Sequence, residues 1–81
     1  MTIHVTQEDI DHGRRRSCTN CPVALALERI TGEMWEVGLL SAWKLLEKSY
    51  PSKTLPKKAH KFILAFDEGR KTKPFSFDMP I

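Results

Sequence analysis

Residues 54–69 have the sequence TLPKKAHKFILAFDEG, and this stretch decides the class of fold. Thr54 and Pro56 mark the start of a helix, and Gly69 is placed to end it as a C-terminal cap. Between them the apolar residues recur at the three- and four-residue spacing of one helix face. That face consists of Ala59, Phe62, Ile63 and Phe66. The sequence therefore predicts an amphipathic helix that packs on a core through this stripe.

A terminal strand is predicted after this helix. Its apolar residues alternate with polar ones, which is the two-residue period of a strand with one buried face. The apolar members are Phe75, Phe77, Met79 and Ile81. Pro80 lacks a backbone N–H, so the strand belongs at the edge or the end of a sheet. We expect the helix stripe to pack on Phe75 and Phe77.

The N-terminal part predicts a strand and two helices. Alternation over residues 3–5 indicates a short strand, and Thr6 with Asp9 has the form of a capping box, with Asp for the usual Glu. One or two helical turns are therefore expected over residues 7–12. A clearer helix begins at Cys21-Pro22 and ends at Thr31-Gly32, because its apolar residues again follow helical spacing.

Two further strands are predicted in the middle of the chain. Apolar residues alternate over residues 34–39 and again over residues 42–47, around Trp43. The second segment has an alternative, because Trp43 and Tyr50 also fit helical spacing. That alternative is a short helix over residues 41–50.

The order β, α, β, β, α, β is that of a ferredoxin-like split βαβ unit. We therefore predict an α+β fold with two helices on one face of a four-stranded antiparallel sheet. The predicted core-facing strand residues are Ile3, Val5, Trp35, Val37, Trp43, Leu45, Phe75 and Phe77. The predicted open face carries His4, Thr6, Glu36, Lys44, Leu46, Ser76 and Asp78.

The chain has 81 residues, which is enough for one domain over residues 1–81 with a single core. Its longest apolar run, residues 23–27, is far shorter than the roughly 20 residues of a membrane span. Residues 1–13 contain three acidic residues and no Lys or Arg, unlike a secretory or transit peptide. We therefore expect a cytoplasmic protein that does not contact membranes.

The positive charge is concentrated in the C-terminal half of the chain. Residues 1–40 have four Arg and six acids, a net charge of −2, whereas residues 41–81 have nine basic residues and four acids, a net charge of +5. Such asymmetry is typical of a solvated lysine-rich face, and it also favours polyanionic partners. Three clusters are candidate nucleic-acid contacts: Arg14, Arg15 and Arg16; Lys57, Lys58 and Lys61; and Arg70, Lys71 and Lys73.

The two cysteines, Cys18 and Cys21, lie in a Cys-x-x-Cys pattern at a helix start. A helix N-terminus lowers a thiol pKa, which suits redox exchange or metal binding. A structural zinc site requires four ligands, and only His12 or His4 is available to join the cysteines. The favoured interpretation is a reduced, metal-free pair in which one cysteine caps the helix. Zinc binding and thiol redox chemistry remain alternatives.

No spacing of nucleophile, base and acid predicts a catalytic site, and no glycine-rich loop predicts a cofactor. The expectation is therefore a non-enzymatic protein without a cofactor.

Four segments resemble small proteins of unknown function encoded in bacteriophage and bacterial genomes. These segments are TQEDI at residues 6–10, CxxCPVALA at 18–26, FDxGR at 66–70 and PFSF at 74–77. The resemblance implies a phage-type accessory or host-directed role in a host cytoplasm. It implies no activity and no site residue.

Taken together, these features predict a small binding or modulator protein whose partner is another protein, either a host protein or a second copy. A nucleic-acid-binding domain that uses the basic half is the first alternative, and a thiol-redox or zinc protein is the second.

Overall fold

The computed structural model describes all residues, 1–81, and shows an α+β fold with three helices and five strands. The elements in chain order are β1 (Thr2–Val5), α1 (Gln7–His12), α2 (Pro22–Thr31), β2 (Trp35–Val37), β3 (Ser41–Lys44), β4 (Lys53–Thr54), α3 (Lys57–Asp67) and β5 (Phe75–Asp78). The three predicted helices are confirmed. No helix has both the length and the apolar character needed to cross a bilayer.

The strands form two antiparallel sheets, so the predicted single four-stranded sheet is wrong. One sheet pairs β1 with β5, with Ile3 opposite Phe77. The other has the order β2-β3-β4. A continuous sheet cannot form at the edge of β2, because the backbone N–H of Val37 donates to the carbonyl of Cys18 at 2.7 Å. The connector before α2 therefore occupies an edge that a neighbouring strand would need.

The β3 segment also corrects the sequence-based expectations. It is a strand, not a helix over residues 41–50, and it ends at Lys44 instead of continuing to residue 47. The short strand β4 includes Thr54, which had been expected to begin the following helix. Leu55 then continues the pairing by donating its N–H to the carbonyl of Leu40 at 2.8 Å.

The inward face of β3 is the opposite of the predicted one. Val37 pairs with Ala42, and both are buried, whereas Trp43 lies opposite Glu36 and is only half-buried. Leu45 is likewise half-buried. The reason is the turn, in which Gly38 N–H donates to the Ser41 carbonyl at 2.8 Å and so brings Ala42 opposite Val37. Directly paired residues share a face, so Trp43 must point away from the core.

The core lies between the two sheets and the helices. Helix α2 packs against both β1 and β2, and its Val23, Ala26 and Leu27 are fully buried. The Phe62 ring of α3 stacks on Phe75, with ring centroids 4.6 Å apart. The predicted contact between the α3 stripe and the terminal strand is therefore confirmed.

Asp9 is the only charged residue that the fold buries, with 7% exposure. Its Oδ2 accepts from the backbone N–H of Thr6 at 2.9 Å, while Thr6 Oγ1 accepts from the Asp9 N–H at 3.2 Å. These two bonds are the predicted capping box. The same Oδ2 accepts from Arg29 Nη2 of α2 at 2.9 Å, and Arg29 Nη2 also donates to the His4 carbonyl of β1 at 2.7 Å.

We predict that Phe62→Ala lowers the free energy of unfolding by about 3–5 kcal/mol, because it removes a buried aromatic ring from the contact with Phe75. Leu46→Ala is the matched control, since Leu46 is 85% exposed. Its effect should stay within about 0.5 kcal/mol. Urea unfolding measures both values, and similar losses in the two variants would contradict the assigned packing.

We predict that Asp9→Ala costs about 2–3 kcal/mol, because it removes one of the two capping-box hydrogen bonds and the charge-assisted hydrogen bond from Arg29 in one step. Asp11→Ala is the control on the same helix, since Asp11 is exposed and accepts only from Gln7 Nε2 at 2.9 Å. Thermal unfolding of both variants tests the difference. If the Asp11 variant melts at as low a temperature as the Asp9 variant, the hydrogen bonds of Asp9 to Thr6 and Arg29 are not what stabilises α1.

Candidate functional site

The helix start at residues 18–22 places the two cysteines in different environments. Cys21 is buried and is the N-cap of α2, with its Sγ accepting from the Ala24 N–H at 3.4 Å. The predicted capping role of one cysteine is therefore confirmed. Burial raises the pKa of the Cys21 thiol, and the hydrogen bonds from the backbone of α2 oppose this effect only in part. At neutral pH Cys21 is accordingly a protonated thiol.

Cys18 is exposed and lines a surface cleft with Arg16, Leu39 and Asp67. The cleft is shaped by Arg16, whose φ of 57° is the only positive value outside glycine. Its backbone N–H donates to Asp67 Oδ1 at 2.8 Å, which attaches the connector to the end of α3. A free thiol is therefore accessible beside a guanidinium-bearing residue.

The histidines proposed as metal ligands are not brought to the cysteines. His4 Nδ1 lies 2.6 Å from Ser76 Oγ on the β1–β5 sheet, and His12 is exposed in the last turn of α1. Both cysteines are free thiols. No group of three or more His, Cys, Asp or Glu side chains is arranged to hold a metal ion. The geometry therefore supplies two thiols and no third ligand.

We predict that iodoacetamide at about pH 8, near the ordinary thiol pKa, modifies one cysteine and then reaches a plateau. The reactive residue should be Cys18, because Cys21 is buried with a raised pKa. Mass spectrometry of the intact protein should show a single adduct, which Cys18→Ser removes and Cys21→Ser retains. Two adducts formed at equal rates would show that the N-cap thiol is not protected.

The basic clusters are separated into two groups by the fold. Arg15 and the loop after α3 form one groove, which is lined by Arg15, Phe66, Gly69, Arg70, Lys71 and Thr72, with Gln7 and Ile10 of α1 at its side. Lys57, Lys58 and Lys61 lie on the first turns of α3 and do not line this groove. The side chains of Arg14, Arg16 and Lys73 also lie outside its lining. The groove thus combines Arg15 of the first basic cluster with Arg70 and Lys71 of the third.

The Arg15 guanidinium lies directly over Gly69. A Cβ at that position would be 3.2 Å from Arg15 Cζ, and Gly69 has a φ of +77°, which side chains rarely adopt. Glycine therefore allows both the end of α3 and the close approach of the guanidinium. No sequence pattern relates these two residues, because they are far apart in the chain.

The groove retains an excess of positive charge. Arg70 Nη2 lies 2.7 Å from Glu68 Oε1, so one cation is paired. Arg15 and Lys71 form no ion pair. Two exposed cations thus face solvent beside the half-buried Phe66 ring.

A second unusual surface is the β2–β3 hairpin, which we define as residues 34–46. Five large apolar side chains in the molecule are exposed, and four of them are in this hairpin. They are Met34 (45%), Leu39 (44%), Leu40 (64%) and Leu46 (85%). Leu46 was predicted on an open face, whereas Leu39 and Leu40 were missed as a surface feature. The Leu-Leu pair beside Gly38 is the sequence signal that points to an apolar turn.

The aromatic residues beside the hairpin are engaged within the protein. The Trp35 and Tyr50 rings are in edge-to-face contact, with centroids 6.1 Å apart. Lys44 Nζ lies 3.9 Å from the Tyr50 ring centroid and 2.7 Å from Glu33 Oε2. The hydrogen bond to Glu33 raises the pKa of the Lys44 ammonium. These contacts hold the base of the hairpin in place.

No protein-family model matches the sequence, and comparisons with curated proteins and with solved structures also give no match.

Proposed function

We propose that this chain is a small non-enzymatic binding protein that acts through protein–protein contacts, with the β2–β3 hairpin as its contact surface. The observation that carries the proposal is the concentration of exposed apolar side chains there. Single exposed leucines are ordinary on protein surfaces, but a cluster of large apolar groups marks interaction sites. The four groups form two exposed pairs, Met34 with Leu46 at the open end of the hairpin and Leu39 with Leu40 at its turn, so the hairpin offers apolar contacts at both ends.

The surroundings of Leu46 resemble the centre of an interface. Met34 and Leu46 line one depression together with Glu33, Lys44 and Glu47. Lys44 Nζ bonds to Glu33 at 2.7 Å and lies 3.5 Å from Glu47 Oε2, so both carboxylates are within ion-pair distance of the ammonium and the three groups together carry a net charge of −1. An apolar centre with a polar rim is the arrangement found at protein interfaces. A partner side chain that covers Leu46 therefore meets charged groups that are each already within ion-pair distance of another, on a rim that is negative overall.

The partner in this proposal is a host protein or a second copy of the chain. The resemblance of residues 6–10, 18–26, 66–70 and 74–77 to phage and bacterial proteins supports a host-directed role in a bacterial cytoplasm. The hairpin suits either partner, because apolar contacts lack the directionality of hydrogen bonds. The oligomeric state separates these two versions of the proposal.

The test is a double variant, Leu40→Ser with Leu46→Ser, compared with the wild type in affinity capture from nuclease-treated bacterial lysate. Burying one leucine contributes about 1.5–3 kcal/mol, so we expect the recovery of the bound protein to fall at least about tenfold. Lys57→Ser with Lys58→Ser is the control for two exposed substitutions elsewhere. The wild type and both double variants must have the same melting temperature, because a partly unfolded variant would also capture less protein.

Sedimentation of the purified wild type and the double variant tests the second-copy version. A dimer that becomes a monomer on substitution identifies the partner as another copy. Capture that is unchanged by the leucine substitutions would overturn the proposal, and so would a wild-type protein that captures nothing and stays monomeric.

A further inference from the structure

We propose that the groove formed by Arg15, Phe66, Gly69, Arg70 and Lys71 binds the backbone of a single-stranded nucleic acid. This site is distinct from the β2–β3 hairpin and does not depend on the function proposed for it. The inference rests on three features of the groove: two cations without ion-pair partners, the proximity of the Arg15 guanidinium to Gly69, and an aromatic ring in the lining.

The cations suit phosphate groups. Arg15 and Lys71 form no ion pair, and Arg70 pairs only with Glu68. A guanidinium offers a planar set of donors that matches phosphate oxygens, and a lysine adds a compact charge. A phosphate in this groove can therefore replace water at Arg15 and Lys71 without breaking an existing ion pair.

The Arg15 guanidinium lies against Gly69 at the edge of the groove. Its Cζ and Nη atoms are 3.2–3.3 Å from the position that a Cβ on Gly69 would take. The backbone beside Arg15 is attached to α3 by the bond from the Arg16 N–H to Asp67 Oδ1 at 2.8 Å. This attachment keeps the exposed Arg15 side chain at the groove.

The aromatic ring favours a nucleic acid strand over a free anion. Phe66 lines the groove and stacks on Phe62, with centroids 6.1 Å apart and planes 10° apart. Single-strand-binding proteins combine a basic groove with aromatic rings on which bases stack. Paired bases in a duplex do not expose their faces, so the ring favours an unpaired strand.

The sequence suggested a broader basic surface, and the structure restricts the site. Lys57, Lys58 and Lys61 lie near the N-terminal end of α3, whereas Arg70 and Lys71 follow its C-terminal end. An 11-residue helix separates these ends by roughly 15 Å, at 1.5 Å per residue. The α3 lysines therefore provide a matched control for the groove.

The experiment measures binding of the full chain to a labelled oligothymidine of about 12 nucleotides, within the site sizes known for single-strand binders. Two neutralised phosphates, one at Arg15 and one at Lys71, give a slope of log affinity against log salt of about −1.4, at about 0.7 per phosphate. Affinity should thus fall about sevenfold between about 50 and 200 mM salt. Arg15→Gln with Lys71→Gln should reduce the slope to about zero.

Three further variants distinguish a local site from general positive charge. Lys57→Gln with Lys58→Gln removes the same charge and should keep the wild-type slope. Gly69→Ala changes no charge but puts a Cβ 3.2 Å from Arg15 Cζ at a φ of +77°, so it should weaken binding, and its melting temperature separates this effect from strain at the end of α3. Phe66→Leu keeps an apolar side chain and should lower affinity about fivefold or more, the effect of losing one stacked base.

Binding that is lost in the groove variants and kept in the α3 control supports the site. Equal losses in the groove double variant and the α3 control would overturn it, as would undetectable binding at low salt. Tighter binding to a duplex of equal length would overturn the single-strand assignment. The hairpin variant Leu40→Ser with Leu46→Ser should bind the oligonucleotide normally, so failure of the protein-binding proposal would not be mistaken for failure of this one.

Discussion

The carboxylate of Asp9 joins three elements that share no backbone hydrogen bonds with one another. It caps α1 through Thr6, and it receives Arg29 of α2, whose guanidinium also reaches the His4 carbonyl of β1. Loss of Asp9 would leave the Thr6 N–H without its acceptor, whereas the freed Arg29 side chain, which is 48% exposed, can be solvated by water. The position of α1 therefore depends on this carboxylate, and the connector that follows α1 depends on the position of α1.

Residues 13–21 connect α1 to α2, and close packing at Gly13 constrains the path of this connector. Gly13 N–H donates to the Asp9 carbonyl at 2.9 Å, and a Cβ on Gly13 would lie 2.6 Å from Pro22 Cδ. Only glycine allows the end of α1 to approach the start of α2 so closely. The connector then passes the end of α3, where the Arg16 N–H donates to Asp67 Oδ1 and the Arg15 guanidinium lies against Gly69. The groove is thus a consequence of how α1 and α2 pack, not a feature of either basic cluster alone.

Sequence patterns predicted the elements whose signals lie within a few neighbouring residues. They failed where contacts between distant segments of the chain determine the structure. The capping box at Thr6, the N-cap at Cys21 and the stripe on α3 each depend on residues within one or two turns, and all three are present. The division into two sheets depends on the Cys18 carbonyl at the edge of β2, which alternation cannot show. The reversed face of β3 depends on how the turn after Val37 closes, and one residue of register inverts every side chain. The groove combines Arg15 with Gly69 and Lys71, so only the tertiary packing reveals it.

The connector between α1 and α2 separates the two candidate surfaces. Arg15 lines the basic groove, whereas Arg16 and Cys18 line the cleft that also contains Leu39 of the hairpin. Consecutive arginines reach different sites because Arg16 adopts a left-handed conformation, which costs an ordinary residue about 1–2 kcal/mol. The hydrogen bond from its N–H to the Asp67 carboxylate offsets part of this cost. The left-handed residue therefore lies where the connector passes from the groove to the cleft, next to the hydrogen bond that attaches it to α3.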